Sequence, residues 1–152
     1  VGGYDEEFTR AQDWEMNYRL RQAGGLVYFD PRLVVIYRPR KRIAELGKQY
    51  FEYGRWRRAV SRRYPETVNF RYLAPPTAVV VSFISIVGSF FKPQLVLPFV
   101  IYLLSLLIGS LFIGKSWGER FRLPLVLFTM HMSWGIGFLT SPRKLARGNL
   151  ST

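Results

Sequence analysis

The sequence predicts an α/β portion followed by an α-helical membrane region of about three spans, and three observations carry that reading. Residues 1–40 combine one helical pattern with two β-branched runs, residues 41–72 form a strongly basic amphipathic stretch, and residues 73–140 hold three long apolar runs. A basic tail, 141–152, follows. With 152 residues the chain has room for one soluble domain at most. It begins at Val1 and "VGGYDEEF" reads as a turn inside a domain, so the expectation is a piece of a larger protein, with no signal or transit segment in front. There is no cysteine, which excludes disulfides, iron-sulfur clusters and thiolate zinc sites.

Thr9 and Gln12 have capping-box spacing, so a helix is expected to begin there and run to Ala23, where Gly24-Gly25 supplies a left-handed stop. "LVYFDP" and "LVVIYR" read as two short strands joined by a turn at Asp30-Pro31, and Pro39 ends the second. From about Lys41 to Tyr64, Ile43, Leu46, Tyr50, Phe51 and Tyr53 recur at helical steps with bases on the other side. That pattern predicts a basic helix at a membrane surface, bent near Gly54 and ended by Pro65.

The net charge of +12 is unevenly spread. Residues 1–30 carry six acids against three bases, and residues 31–72 carry twelve bases against three acids. A polyanion is the expected neighbour: nucleic acid, an anionic lipid surface or a phosphorylated ligand. The apolar runs decide between them. Residues 74–91 and 94–114 are uncharged, 123–140 carries only His131, and each approaches the roughly 20 residues that a span requires. Arg55, Arg57, Arg58, Arg62, Arg63 and Arg71 just before the first run place the preceding part in the cytoplasm by the positive-inside rule, as a multi-pass protein of the cell membrane. Alternation would leave the tail outside, against the preference of Arg143, Lys144 and Arg147. Bases so close to a span are accounted for by lipid, which leaves no nucleic-acid partner.

Chemistry concentrates at Asp13 and Glu15. Two helical positions apart, they diverge by about 200° and cannot share one substrate atom. One of them acts alone, or neither does, since a first-turn acid is stabilised by the helix dipole by about 0.3–1 kcal/mol without any reaction. The dipole also lowers the proton affinity of Asp13, so a base there needs desolvation by a neighbour such as Trp14. In "QYFEYGRW", Arg55 can fork onto a phosphate and Trp56 can stack on a sugar or rest at the bilayer interface. An interfacial helix on anionic headgroups explains the same residues. His131, the sole histidine, reads as a helix-to-helix hydrogen-bonding group, and no HxxxH, CxxC, Walker or GxGxxG pattern occurs, so no metal site is expected.

"GGYDEEF", "AQDWEMNYRLRQAGG", "VYFDP" and "VIYRPR" together resemble the carboxyl half of the catalytic domain of family 2 glycosyltransferases, membrane-bound and of the succinoglycan-biosynthesis type. "KQYFEYGRWRR", "RYLAPP" and "TMHMSWGIGFL" look like its continuation. The resemblance implies a GT-A fold for residues 1–40 and inverting transfer from a nucleotide-sugar donor to a glycan or polyprenyl-linked acceptor. Asp13 matches the family's general base, and Gln12 stands where a glutamate is common. Of the family's QxxRW, Arg55 and Trp56 are kept while Glu52 replaces the glutamine. Gln12, Glu15, Gln49, Glu52, Arg55 and Trp56 are thereby candidate donor- or acceptor-binding residues. The resemblance also implies Mg or Mn, held by a DxD motif that this chain lacks, so the segment alone is expected to bind no cofactor and to be inactive. The competing reading is a noncatalytic membrane-anchored remnant, or a partner-binding module, whose basic helix holds anionic lipid.

Overall fold

Helix is the rule along this chain. In a computed structural model that describes residues 1–36, 40 and 42–145, α1 spans Gln12–Gln22, α2 Ile43–Arg63, α3 Ala74–Ser89, α4 Leu97–Ile113 and α5 Trp117–Leu139. Short 3-10 turns at Pro65–Thr67 and Phe70–Tyr72 link α2 to α3, and another at Pro93–Val96 leads into α4.

Glycine sets the central packing. A Cβ on Gly54 of α2 would lie 2.0 Å from the Trp134 carbonyl oxygen, and one on Gly137 of α5 would lie 2.0 Å from the Phe51 carbonyl oxygen. The two backbones touch where neither has a side chain. Gly47 faces Thr129 and Ser133 further back, so α2 and α5 run in the same direction. Gly135 turns to the other side, where a Cβ would meet the Pro75 carbonyl oxygen at 2.5 Å. The C-terminal half of α5 is therefore clasped between α2 and the start of α3.

α1 caps the far end of α2. Phe8, fully buried, joins Trp56, Ala59 and Val60 in a small core that Ala11, Trp14 and Tyr64 flank. Arg63 holds Asp5 at 2.8 Å above it, and its guanidinium lies 5.5 Å from the Phe8 ring centroid. After α5 the chain turns back on α2: Ser141 Oγ donates to the Arg55 carbonyl at 2.8 Å, and Arg62 donates to the Ser141 and Pro142 carbonyls at 2.6 and 2.7 Å.

Three expectations are corrected. First, the predicted α/β portion has no sheet among the described residues. Residues 26–36 carry no regular structure, and Leu26, Tyr28, Phe29 and Val34–Ile36 are largely exposed. The Asp30 turn does form, with Leu33 N–H donating to the Asp30 carbonyl at 3.1 Å and Arg32 paired to its carboxylate. β-propensity is mostly packing on a pleated surface, and two short runs that find no third strand and no covering helix do not make a sheet. Tyr37, Arg38 and Pro39 of the second run, and Lys41, lie outside the described residues.

Second, only one helix among the described residues is long and apolar enough to cross a membrane: Pro93–Ile113, 21 residues of mean hydropathy 2.5. α3, 16 residues long, falls short. α5 starts six residues before its apolar run and carries Glu119, Arg120 and Arg122 in its first turns. Its other end packs on α2, whose arginines are no lipid substitute. The in-out-in alternation of three spans goes with them. The tail conflict also dissolves as far as Leu145, because Arg62 holds the tail's first residues to α2; Arg147 lies outside the described residues.

Third, the α1 cap is not a capping box. Ala11 holds the N-cap position with φ 62° and no side-chain hydrogen bond. The stop is as expected: Gly24 has φ 80°, and Gly25 N–H donates to the Leu20 carbonyl at 2.9 Å, the long bond of a Schellman motif. Gly54 lies within one continuous helix, where it serves close approach to α5. A side-chain cap does exist at the start of α5, where Ser116 Oγ accepts from the Glu119 N–H at 3.3 Å and the Glu119 carboxylate accepts from the Lys115 N–H, one residue before the cap, at 2.8 Å.

Candidate functional site

Where α1, α2, the Phe70–Tyr72 turn and α5 converge, a cavity of about 640 Å³ opens. That volume suits a small ligand. α2 supplies Tyr50, Tyr53 and Arg57, spaced by three and four residues so that they share one face, with Trp56 beside them. α1 supplies Asp13 and Trp14 just past Arg10, and α5 closes the back with Met130, His131 and Trp134.

Asp13 is the one carboxylate in this wall. It is exposed, and among the described residues no hydrogen bond or ion pair holds it. Glu15, turned to the other side of α1, has the opposite fate. It is fully buried, accepts from Arg19 Nε at 2.7 Å and Nη2 at 2.8 Å, and accepts from the Tyr64 hydroxyl at 2.7 Å. Burial alone would raise its pKa, but the hydrogen bonds from Arg19 and Tyr64 outweigh burial and hold the carboxyl below its ordinary range. Burial in turn, reinforced by the bond to Glu15, pushes the Tyr64 phenol up to about 12. Arg19 also donates to the Gly3 carbonyl at 2.6 Å, so Glu15 is the anchor of α1.

Arg57, which the sequence offered only as one of the bases before the first apolar run, also lines the cavity. It is only 9% exposed, donates from Nη2 to the Thr67 carbonyl at 2.7 Å, and is flanked by the rings of Tyr72, 3.8 Å to the centroid, and Trp14, 4.5 Å. Its buried Nε has no partner. Burial lowers its pKa.

The other sequence candidates disperse. Trp56 lines the cavity from a buried position, its ring 5.8 Å from that of Phe8. Gln12 opens α1 outside the cavity wall. Glu52 and Arg55 pair with each other at 2.9 Å, and neither lines the cavity. Gln49 donates to the Tyr53 hydroxyl at 2.5 Å and faces a neighbouring cavity of about 660 Å³ with Arg42 and Arg122. His131 meets the Tyr102 hydroxyl at 3.2 Å through Nδ1, a helix-to-helix bond from α5 to α4. Sequence reasoning passed over Tyr53, Arg57 and Arg71 as site residues; the 50-53-57 spacing was the available signal for the first two.

The residues do not fit a divalent cation, since among the described residues no group of three or more His, Cys, Asp or Glu side chains comes together.

No protein-family model matches the chain, and no solved structure matches it. Over 83 residues it is 34% identical to the succinoglycan biosynthesis protein ExoA of Rhizobium meliloti (strain 1021), a match covering 55% of this chain and 25% of that protein. The chain thus spans about a quarter of the length of the curated relative it matches.

Proposed function

We propose that this chain is part of a membrane-associated glycosyltransferase of polysaccharide biosynthesis, and that the cavity beside α1 receives the acceptor sugar with Asp13 as general base. The likeness to a succinoglycan biosynthesis protein supports the general class. The observation that carries the site is Asp13 itself: a carboxylate without a partner among the described residues, on the rim of an aromatic-walled cavity, while its neighbour Glu15 is locked away.

In this reading Trp14 and Tyr53 line the path of the acceptor sugar, and Asp13 accepts the proton of the acceptor hydroxyl as that oxygen attacks the anomeric carbon of the donor. The bond to the nucleoside diphosphate breaks, and the electron pair leaves with the diphosphate. The donor comes from a nucleotide sugar, held by parts of the protein beyond this chain. Arg55 and Glu52, paired with each other outside the cavity, serve the donor side or the fold.

Membrane association rests on α4 and on the apolar surface of α3, α4 and the turn between them, where Phe83, Phe90, Phe91, Ile101 and Phe112 are exposed. That surface is what a bilayer would cover. The reading of α2 as a lipid-binding helix is weakened by the use its arginines find within the chain: Arg57 on Thr67, Arg62 on the tail and Arg63 on Asp5.

The test is Asp13→Asn in the full-length protein. Removing a general base is expected to lower transfer by about 10²–10⁴-fold with KM for the acceptor little changed. Wild-type turnover in that variant rejects the assignment.

A further inference from the structure

We propose that Arg57, with Arg10 and Arg71, forms a phosphate-binding subsite in the wall of the Asp13 cavity, so that the ligand received there carries a phosphate or diphosphate group. The inference rests on the reading of this cavity as a ligand site and names a group its occupant bears.

Three arginines line the cavity against a single acid, Asp13. Arg57 is the informative one. A buried guanidinium is ordinarily paired with a carboxylate, because an unpaired buried charge is strongly destabilising. Arg57 has no ion pair among the described residues, spends one Nη on a backbone carbonyl, and leaves its buried Nε unmatched. The rings of Tyr72 and Trp14 fix the plane of the guanidinium, which pre-sets its fork of donors. A guanidinium held between two rings and lacking a carboxylate partner matches the oxygens of a phosphate better than it matches a neutral sugar.

Arg71 and Arg10 are placed to add to it. Both are exposed, line the same cavity, and have side chains without a partner among the described residues. Arg71 sits in the 3-10 turn whose N-cap residue, Asn69, accepts the Arg71 N–H through Oδ1 at 3.0 Å, so the turn is held while the Arg71 side chain has no partner among the described residues. The cavity also touches the first turn of α3, next to the exposed apolar face of α3 and α4. The phosphate therefore has two sources, a soluble diphosphate or the headgroup of a lipid.

The test is binding by the purified full chain in detergent micelles. Inorganic pyrophosphate is titrated by calorimetry, and flotation with vesicles of phosphatidic acid in phosphatidylcholine is compared with phosphatidylcholine alone. Arg71→Gln and Arg57→Gln are expected to weaken one or both interactions by about 10-fold or more, the loss typical of a hydrogen bond to a charged group. Lys48→Gln removes the same charge from an exposed place on α2 and is expected to change little. Loss with pyrophosphate identifies a soluble diphosphate, and loss confined to vesicles identifies a lipid phosphate. Arg57→Gln also strains the fold through Thr67, so Arg71→Gln decides if the first variant does not fold. Absence of binding by the native chain to both probes, or equal binding by Arg71→Gln and Lys48→Gln, overturns the subsite. Asp13→Asn is expected to bind both probes undiminished, so failure of Asp13 as a base and failure of the phosphate subsite are read separately.

Discussion

Gly137→Ala isolates the contact that shapes the cavity's back wall. Alanine in a helix is ordinarily favoured over glycine by about 1 kcal/mol, so a naive expectation is stabilisation. Here the added Cβ would sit 2.0 Å from the Phe51 carbonyl oxygen and 2.8 Å from its carbon, where ordinary contact begins at 3.4 Å. The obstacle is backbone, which cannot rotate away, so α2 and α5 must part by roughly 1 Å, enough to forfeit a quarter to a half of the dispersion well of each atom pair along the seam. Overpacking of this kind costs about 1–3 kcal/mol, and with no slack on the Phe51 side the upper part of that range is expected, leaving a net loss near 2 kcal/mol after the helix preference is credited. For a chain of this size the melting temperature should fall by about 4–8 °C. The assay is thermal unfolding followed by circular dichroism in detergent micelles. Gly109→Ala and Gly118→Ala, where a Cβ meets nothing within 4 Å, should move the other way by a degree or more. A Gly137→Ala chain that melts at or above the native one refutes the close crossing and with it the position of Met130, His131 and Trp134 behind Tyr50 and Tyr53.

The remaining predictions concern the anchor of α1, the tail and the membrane face. Tyr64→Phe removes a donor to the buried Glu15 carboxylate and should lower stability by about 1.5–3 kcal/mol, read by denaturant melts. Because the folded pKa of Glu15 is depressed, its contribution is complete above the unfolded value near 4.3 and is lost as acid takes the pH through the folded value, so stability should drop below about pH 4 and Glu15→Gln should flatten that drop. Tyr64 acts at the other extreme: with its folded value raised to about 12, stability should decline as pH rises from about 10 toward 12, and Tyr64→Phe should abolish that slope. Arg62→Ala should release the Ser141–Pro142 turn, seen as faster proteolysis there with unchanged helix content. Leu104→Lys with Ile108→Lys on the exposed face of α4 should move the chain from the membrane to the soluble fraction, since each lysine at a span's centre costs about 2.5–3.5 kcal/mol.

Which parts of this fold the sequence could reveal follows from the range over which each signal acts. The stop at Gly24-Gly25 is local, requiring only a left-handed residue, and it is found where the glycines stand. The strands over residues 26–36 required partners that no local pattern can guarantee. The apolar runs raised the same difficulty in reverse: a length of hydrophobic residues fits a span or a buried helix, and the small residues Gly135 and Gly137 in the third run were the mark of a helix with protein on two sides. Pattern alone also set the arginines of α2 toward lipid, whereas several of them are held by carbonyls and a carboxylate outside the helix, at Thr67, Ser141, Pro142 and Asp5.

The site repeats this division between angle and partner. The rule that residues two apart on a helix diverge by about 200° separates Asp13 from Glu15, and the separation is what the structure turns into two environments. The buried acid receives donors from Arg19 and Tyr64, a residue 49 positions away, and so cannot take up a proton without undoing the joint between α1 and α2. The exposed acid keeps an open valence beside Trp14. Interchanging the environments would need only a half-turn of α1 about its axis, and the Glu15 anchor is what forbids it. Loosening that anchor by Tyr64→Phe should therefore weaken any reaction that depends on Asp13 even though Tyr64 stands outside the cavity wall, and full activity in a folded Tyr64→Phe protein would show that the orientation of α1 does not matter to the chemistry.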